Sequence, residues 1–390
     1  MQLTASHKRL ILILGIATAI GPMSIDMYLP ALPTLARDLA ATQGQAQFTL
    51  SSFFVGLALG QLVYGPMIDR YGRKWPLYIG LALYVLASLG CALAWRIEAL
   101  MAFRILQALG GGSAMVVTRV IVRDLFDPQT AARVFSLLML VMGVAPILAP
   151  MVGGWVLLGF GWRWIFGVLA LFGLGCLLAI WRALPETGGG PSTGPRAGYW
   201  SVISDRRFLP YALGGAVAQA GMFAYIAGAP FVFIELYRVP PEHFAKLFGA
   251  NAFGLIAASQ LNRWLLDRYP LEQVLRTALL AHALAALSLL GVVLAGVGGL
   301  AAVLPPLFVC VAALGLVFPN SSAMAMAPFE RNAGTASASL GMIQYGAAAL
   351  SGAVVGSWHD GSALPMAAVI ATCGVGSNLL LRALARKAEA

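Results

Sequence analysis

The sequence predicts an all-α membrane protein of twelve transmembrane helices in two pseudo-symmetric six-helix bundles, on three observations. First, 60% hydrophobic residues, 10% charged residues and a mean hydropathy of +0.83 leave too little polar surface to cover a water-soluble globule of 41.0 kDa. Second, apolar runs long enough to cross a hydrocarbon core, which takes ~20 residues, alternate with short charged clusters. Third, the triplet Asp69-Arg70-Tyr71 returns as Asp267-Arg268-Tyr269, 198 residues later in a chain of 390. A repeat at half the length points to two tandem halves.

The first run, 10–33, follows Lys8 and Arg9 and carries one acid, Asp26, within Met23-Ser24-Ile25-Asp26-Met27-Tyr28-Leu29-Pro30. It is too long for the apolar region of a cleavable signal peptide and lacks a small-residue cleavage site, so it is expected to stay in place. The second run, 46–68, leads into a glycine-punctuated charged turn, Gly65-Pro66-Met67-Ile68-Asp69-Arg70-Tyr71-Gly72-Arg73-Lys74. The third, 76–95, is plain. The fourth, 99–121, enters after Glu98, carries Arg104 about 8 Å from its start at ~1.5 Å per residue, and ends in Arg123-Asp124. The fifth, 134–158, holds Pro146, Pro150, Gly153 and Gly154, and the sixth is 163–183. Hydrophobicity then breaks from Leu184 to Arg207, where a Pro- and Gly-rich stretch reads as a flexible linker. The predicted organisation is therefore a first bundle over 1–184, a linker over 185–207 and a second bundle over 208–390. Its runs are 208–234, 244–266, 274–295, 299–327, 335–357 and 363–382.

The net charge of +10 does not indicate nucleic acid, because the basic residues are scattered over short turns instead of gathered in one stripe. Eighteen lysines and arginines in the connecting segments fall on one side of the twelve-helix threading and five on the other. The positive-inside rule then puts both termini and both Asp-Arg-Tyr turns in the cytoplasm. Cys91, Cys176, Cys310 and Cys373 sit in apolar helices without metal-ligand spacing and read as small hydrophobes. The four histidines are mostly terminal or in loops and form no relay with the acids. No metal site, no phosphate loop and no segment long enough for a soluble domain is expected, which argues against an enzyme. No cofactor is called for beyond a proton gradient, and nothing in the chain demands more than a monomer.

An ionisable group at membrane depth costs about 2.5–3.5 kcal/mol on insertion scales and is a functional candidate by default. Asp26 and Arg104 lie at similar depth in the same half and can pair, which leaves the carboxylate able to exchange its partner for a proton; a static ion pair near a helix end, or an Asp26 that reaches external water, is the alternative. Gly65 and Gly72 permit a tight turn. Arg73 or Lys74 has Asp124 as its expected partner, with Arg70 and Arg123 in the same charged cluster. Asp69 suits the positive N-terminal end of the eleventh helix, around Gly334-Thr335-Ala336-Ser337. Polar, aromatic and methionine side chains in otherwise apolar runs are candidates for a substrate cavity between the halves. In the first half these are Tyr28, Phe53, Gln61 and Met115; in the second, Gln219, Tyr225, Asn251, Gln260, Asn320, Gln344 and Tyr345. Core packing and interhelical hydrogen bonding are the alternative roles for all of them. Glu235, at the end of the seventh run, is a secondary coupling candidate.

The charged turn resembles the signature of the major facilitator superfamily, G-x-L-a-D-r-x-G-r-k, with Met67 where leucine is usual. Arg104-Ile105-Leu106-Gln107-Ala108-Leu109-Gly110-Gly111-Gly112 resembles its fourth-helix motif, with Ala108 for a glycine. Ala149-Pro150-Met151-Val152-Gly153-Gly154 resembles the fifth-helix antiporter motif, with Ala149 for a glycine. The segments Ser24–Pro33, Arg119–Phe126, Leu184–Thr187 and Pro230–Glu235 are similar to the Bcr/CflA group of bacterial drug-resistance exporters. The resemblance spans the whole chain. It implies the major facilitator fold and a multi-pass drug/proton antiporter of the inner membrane, with small-molecule drugs, protons and the lipid bilayer as partners. It further implies proton-linked roles for Asp26 and Arg104 and a cytoplasmic gate of Asp69, Arg73 and Asp124. A metabolite transporter of the same fold, for amino acids or sugar-like compounds, is the alternative.

Overall fold

Connections of a few residues between long apolar runs leave each run to satisfy its backbone internally, and in a lipid environment the α-helix is the form that does so. The computed structural model describes residues 5–126, 128–184 and 198–389, and they are almost entirely helical. In the first half these are α1 (Ala5–Thr18), α2 (Ile20–Asp26), α3 (Leu32–Asp38), α4 (Gln43–Tyr71), α5 (Lys74–Ala92), α6 (Ile97–Leu125), α7 (Pro128–Phe160) and α8 (Trp162–Ala183). After the short α9 (Tyr199–Ile203) come α10 (Leu209–Pro230), α11 (Pro241–Leu266), α12 (Leu271–Ala295), α13 (Gly299–Met326), α14 (Ala333–Ser357) and α15 (Leu364–Glu389).

Among the described residues, eleven helical stretches are long and apolar enough to cross a membrane. The predicted eighth run is helical too, as the 26-residue α11, but it is more polar than the rest. Two of its amides are neutralised by partners: Asn251 donates to the Tyr225 hydroxyl and Asn262 pairs with Asn320. Eight of the nine tryptophans are exposed. Several stand at helix ends, as Trp75, Trp95, Trp164, Trp264 and Trp358 do, where amphipathic rings favour the membrane–water boundary.

The chain divides into two compact units, Met1–Ala31 with Ser52–Pro195, and Leu32–Ser51 with Arg196–Ala390. Most of the expected linker, 185–197, lies outside the described residues. In the first unit α5 packs on α6 and α8, and α7 on α1 and α2; in the second α10 packs on α13, α14 and α15, and α13 on α11 and α12.

Residues 32–51 join the second unit because the start of α4 rests on α14. A side chain at Gly356 would stand 2.9 Å from the Gly44 carbonyl oxygen and 3.4 Å from the Gln47 Cβ. Gly352 and Gly356, four apart on one face, are the small-xxx-small pattern that admits such an approach. Thr42 and Gln45 cap this end reciprocally, each accepting from the other's backbone N–H at 3.2 and 2.8 Å. Gln43 donates to Glu235 at 2.7 Å. Glu235 lies on a π-helical turn, Phe231–Leu236, that follows Pro230.

The first run, expected as one helix, is broken twice. α1 gives way to α2 at Ala19, three residues before Pro22, and α2 ends at Asp26. Pro30 has no N–H to give the Asp26 carbonyl, and a 3₁₀ turn, Leu29–Ala31, carries the chain into α3. The repeated triplets take equivalent positions: Asp69-Arg70-Tyr71 closes α4, and Asp267-Arg268-Tyr269 follows α11.

Candidate functional site

Asp26 is the last residue of α2 and is only 4% exposed, so its carboxyl stands at a helix break within the first unit. Arg104 projects from α6 and is wholly buried, at 0% exposure. Its guanidinium carbon lies 4.3 Å from the Tyr28 ring centre and 4.1 Å from that of Phe53, a cation–π clamp. Nη1 donates to the Ser24 carbonyl at 3.0 Å and to Gln107 Oε1 at 2.7 Å. Gln107 Nε2 in turn donates to Ser88 Oγ at 2.8 Å, while the Ser24 and Tyr84 hydroxyls meet at 2.7 Å. This network ties the first span to α5 and α6.

The expected Asp26–Arg104 ion pair is not formed among the described residues. The helix break determines the difference: Arg104 reaches the backbone two residues before Asp26 and the ring two residues after it, and the aromatic clamp fixes the guanidinium plane. Arg104 Nε and Nη2 are buried without a hydrogen-bond partner. Together they are one edge of the planar fork that accepts a carboxylate.

α7 supports the break from the other side. A Cβ at Gly153 would collide with the carbonyl oxygen of Met27, so the backbones meet directly next to Asp26. Gly154 and Pro150 are buried and Pro146 half-buried on the same helix, which runs on through both prolines. Tyr28 and Phe53 are buried with Arg104, and Tyr28 also lies 5.8 Å from Phe166. Met115 is buried with its Sδ 2.9 Å from where a Gly21 side chain would begin. Gln61 is buried with Nε2 lacking a partner.

In the second unit the candidates separate into two groups. Tyr225 accepts from Asn251 at 3.0 Å and stacks on Phe248 at 5.5 Å, and Asn320 exchanges bonds of 2.7 and 3.3 Å with Asn262. These polar groups are engaged with one another inside the unit. Gln219 is half-buried with Oε1 lacking a partner; Gln344 and Tyr345 are half-buried and Gln260 is exposed. Among the described residues no cluster of His, Cys, Asp or Glu is arranged to hold a metal ion.

Residues 14–352 match the family profile described as Major Facilitator Superfamily. The chain belongs to the major facilitator superfamily. A Bacillus subtilis (strain 168) protein called uncharacterized MFS-type transporter YdgK is 35% identical over 96% of this chain and 95% of its own length. A bicyclomycin resistance protein homolog from Haemophilus influenzae is 30% identical over 95% of this chain and 94% of its own. The crystal structure of a D-xylose-proton symporter superposes with a TM-score of 0.76 at 13% identity, over 96% of this chain and 97% of that one, which shows the shared fold. Major facilitators are membrane transporters, not enzymes.

The signature turn of this major facilitator takes the tight geometry its glycine allows: Gly72 has φ of +80° and Lys74 begins α5. Arg73 Nε donates to Asp124 Oδ2 at 2.7 Å, joining this turn to the end of α6. Arg70 lies over the Tyr71 ring at 5.4 Å, as Arg268 lies over Trp264 at 3.7 Å in the repeat. Gly65 is half-buried on α4. The side chains of Asp69 and Arg123 are outside the described residues. Because the Arg73–Asp124 pair is partly exposed, Arg73→Ala should lower stability by no more than about 1 kcal/mol. Its expected effect is conformational: a cysteine placed near residue 73 becomes more reactive to a membrane-impermeant thiol reagent. Unchanged reactivity would remove the turn from any gating role.

Sequence reasoning did not single out Gln107, Tyr84 and Asn262. Gln107 is three residues beyond Arg104, hence on the same helix face, which was an available signal. The Tyr84 contact depends on helix packing and left no local mark.

Proposed function

We propose that the protein is a drug/proton antiporter of the bacterial inner membrane, exporting small amphipathic compounds in exchange for protons. The observation that supports this most directly is a buried carboxyl at a helix break, flanked by contacts to a buried arginine with two unpartnered N–H groups. When Asp26 is protonated the arrangement described here suffices. When it is ionised, Arg104 Nε and Nη2 are the donors that receive it. Proton binding from outside releases drug, and proton loss to the cytoplasm restores drug binding, with the two halves alternating access around the site. By the charge bias both termini are cytoplasmic. The Arg73–Asp124 pair then latches the cytoplasmic side. The protein acts as a monomer.

The energetics are sufficient. One charge crossing a potential of ~100 mV is worth about 2.3 kcal/mol, and one pH unit adds about 1.4 kcal/mol. A single proton per cycle therefore sustains roughly a 500-fold gradient of a neutral drug, at ~1.36 kcal/mol per decade. The test is movement of a radiolabelled drug panel in proteoliposomes with an imposed proton gradient, with and without a protonophore. Gradient-dependent transport is expected. Movement indifferent to the protonophore, or movement of amino acids and sugars in place of drugs, would overturn the reading.

A further inference from the structure

His282 lies midway along α12, within the predicted run 274–295, and is 1% exposed. Its Nδ1 is 3.0 Å from the Cys310 carbonyl oxygen on α13. A carbonyl only accepts, so Nδ1 carries the hydrogen and Nε2 presents a lone pair. Nε2 is buried with no hydrogen-bond partner.

Nε2 lies beside Gly221 on α10, where an added Cβ would stand 3.7 Å from it. Beside it is a narrow void without room for a water molecule, bounded by Gly221, Met222, Tyr225, Cys310 and Ile370 among others. The interhelical tie to Cys310 needs one nitrogen, which an asparagine amide also supplies. A leucine would fill the space without stranding an acceptor, an omission that costs about 1–3 kcal/mol. The titratable groups facing the imidazole are Tyr225 from α10, Cys310 from α13 and Cys373 from α15, and no Asp, Glu, Lys or Arg lines the void. The base is therefore held unpaired and dry by glycine on one side and apolar packing on the others.

We infer that His282 is a second proton-binding site, in the C-terminal unit, whose Nε2 is reached when α10 moves away from Gly221. One proton from water then adds to the Nε2 lone pair, giving an imidazolium with both N–H groups, and it leaves to water when the site next opens. Two proton sites per cycle follow, one in each unit; this count rests on the antiporter reading, whereas protonation of His282 itself does not.

The experiment is ¹⁵N NMR of the histidine-labelled full chain in nanodiscs, between about pH 8 and 5, where imidazole ordinarily changes charge. His282→Asn and His282→Gln, two routes to a folded reference, identify the resonance. It should pass from a bare to a protonated Nε2 across that range. Gly221→Ser, whose hydroxyl is positioned to donate to Nε2, should suppress the change. Asp26→Asn should leave it intact, which separates failure of this site from failure of the Asp26 reading. A bare Nε2 throughout the range, or a titration insensitive to Gly221→Ser, would overturn the proposal.

Discussion

Asp26→Asn should abolish proton-driven drug accumulation in proteoliposomes while drug binding stays within a few-fold of the unmodified protein. Asparagine keeps the size of the side chain and a carbonyl oxygen for Arg104, so the break between α2 and the 3₁₀ turn has no steric reason to move. What it removes is the exchangeable proton. Transport then loses its link to the gradient, and the roughly 500-fold accumulation that one proton supports falls to equilibration. Exchange of labelled for unlabelled drug at equal pH should persist, because the loaded carrier still alternates. Accumulation undiminished in Asp26→Asn would move coupling elsewhere, with Glu235 and its Gln43 partner the next place to look.

Gly153→Val should have the largest effect on stability. The Cβ at this position falls on the Met27 carbonyl, with the Met27 carbonyl carbon 2.7 Å and Cα 3.2 Å away. Those are backbone atoms of a buried segment, so there is no flexible side chain to turn aside and one of the two spans must shift. Overpacking in a rigid core costs typically 1–3 kcal/mol, and valine should reach at least the upper end. Gly153→Ala should give a smaller loss of the same sign. Thermal denaturation in detergent measures both. Because the displaced segment begins one residue after Asp26, transport should fall further than stability does. An alanine variant as stable and active as the parent would show that α7 does not press on this break.

Much of this was legible in the chain because membrane solvation leaves coarse marks. Twenty-residue apolar runs, tryptophans at their ends and lysines and arginines in the turns follow from the cost of placing polar groups in hydrocarbon. Asp26 and Arg104 stand out for the same reason, and the Arg73–Asp124 pair follows from two charges at the ends of adjacent helices. The partner of Arg104 was not legible. Sequence depth allowed an ion pair with Asp26, but the proline-induced break after α2 turned a backbone carbonyl and an aromatic ring towards the guanidinium instead. For Asn320 and Asn251 the sequence left a substrate contact and an interhelical hydrogen bond both open, because the mate of each lies on another helix that only packing brings within 3.0 Å.

His282 shows the same limit from the other side. A lone histidine carries no periodic signal, and its burial, its tie to Cys310 and its stranded nitrogen depend on how α10, α12 and α13 pack. The sequence by itself determined the helical class, the family and the residues whose charge is costly in lipid. Those properties follow from composition and local order, because the transfer of each run into hydrocarbon depends on its own residues. Which donors meet which acceptors, where the first span breaks its contacts and which buried groups stay unpaired were decided by the tertiary structure. Hydrogen bonds and ring contacts act over a few ångströms, so they depend on helix positions that no single run specifies.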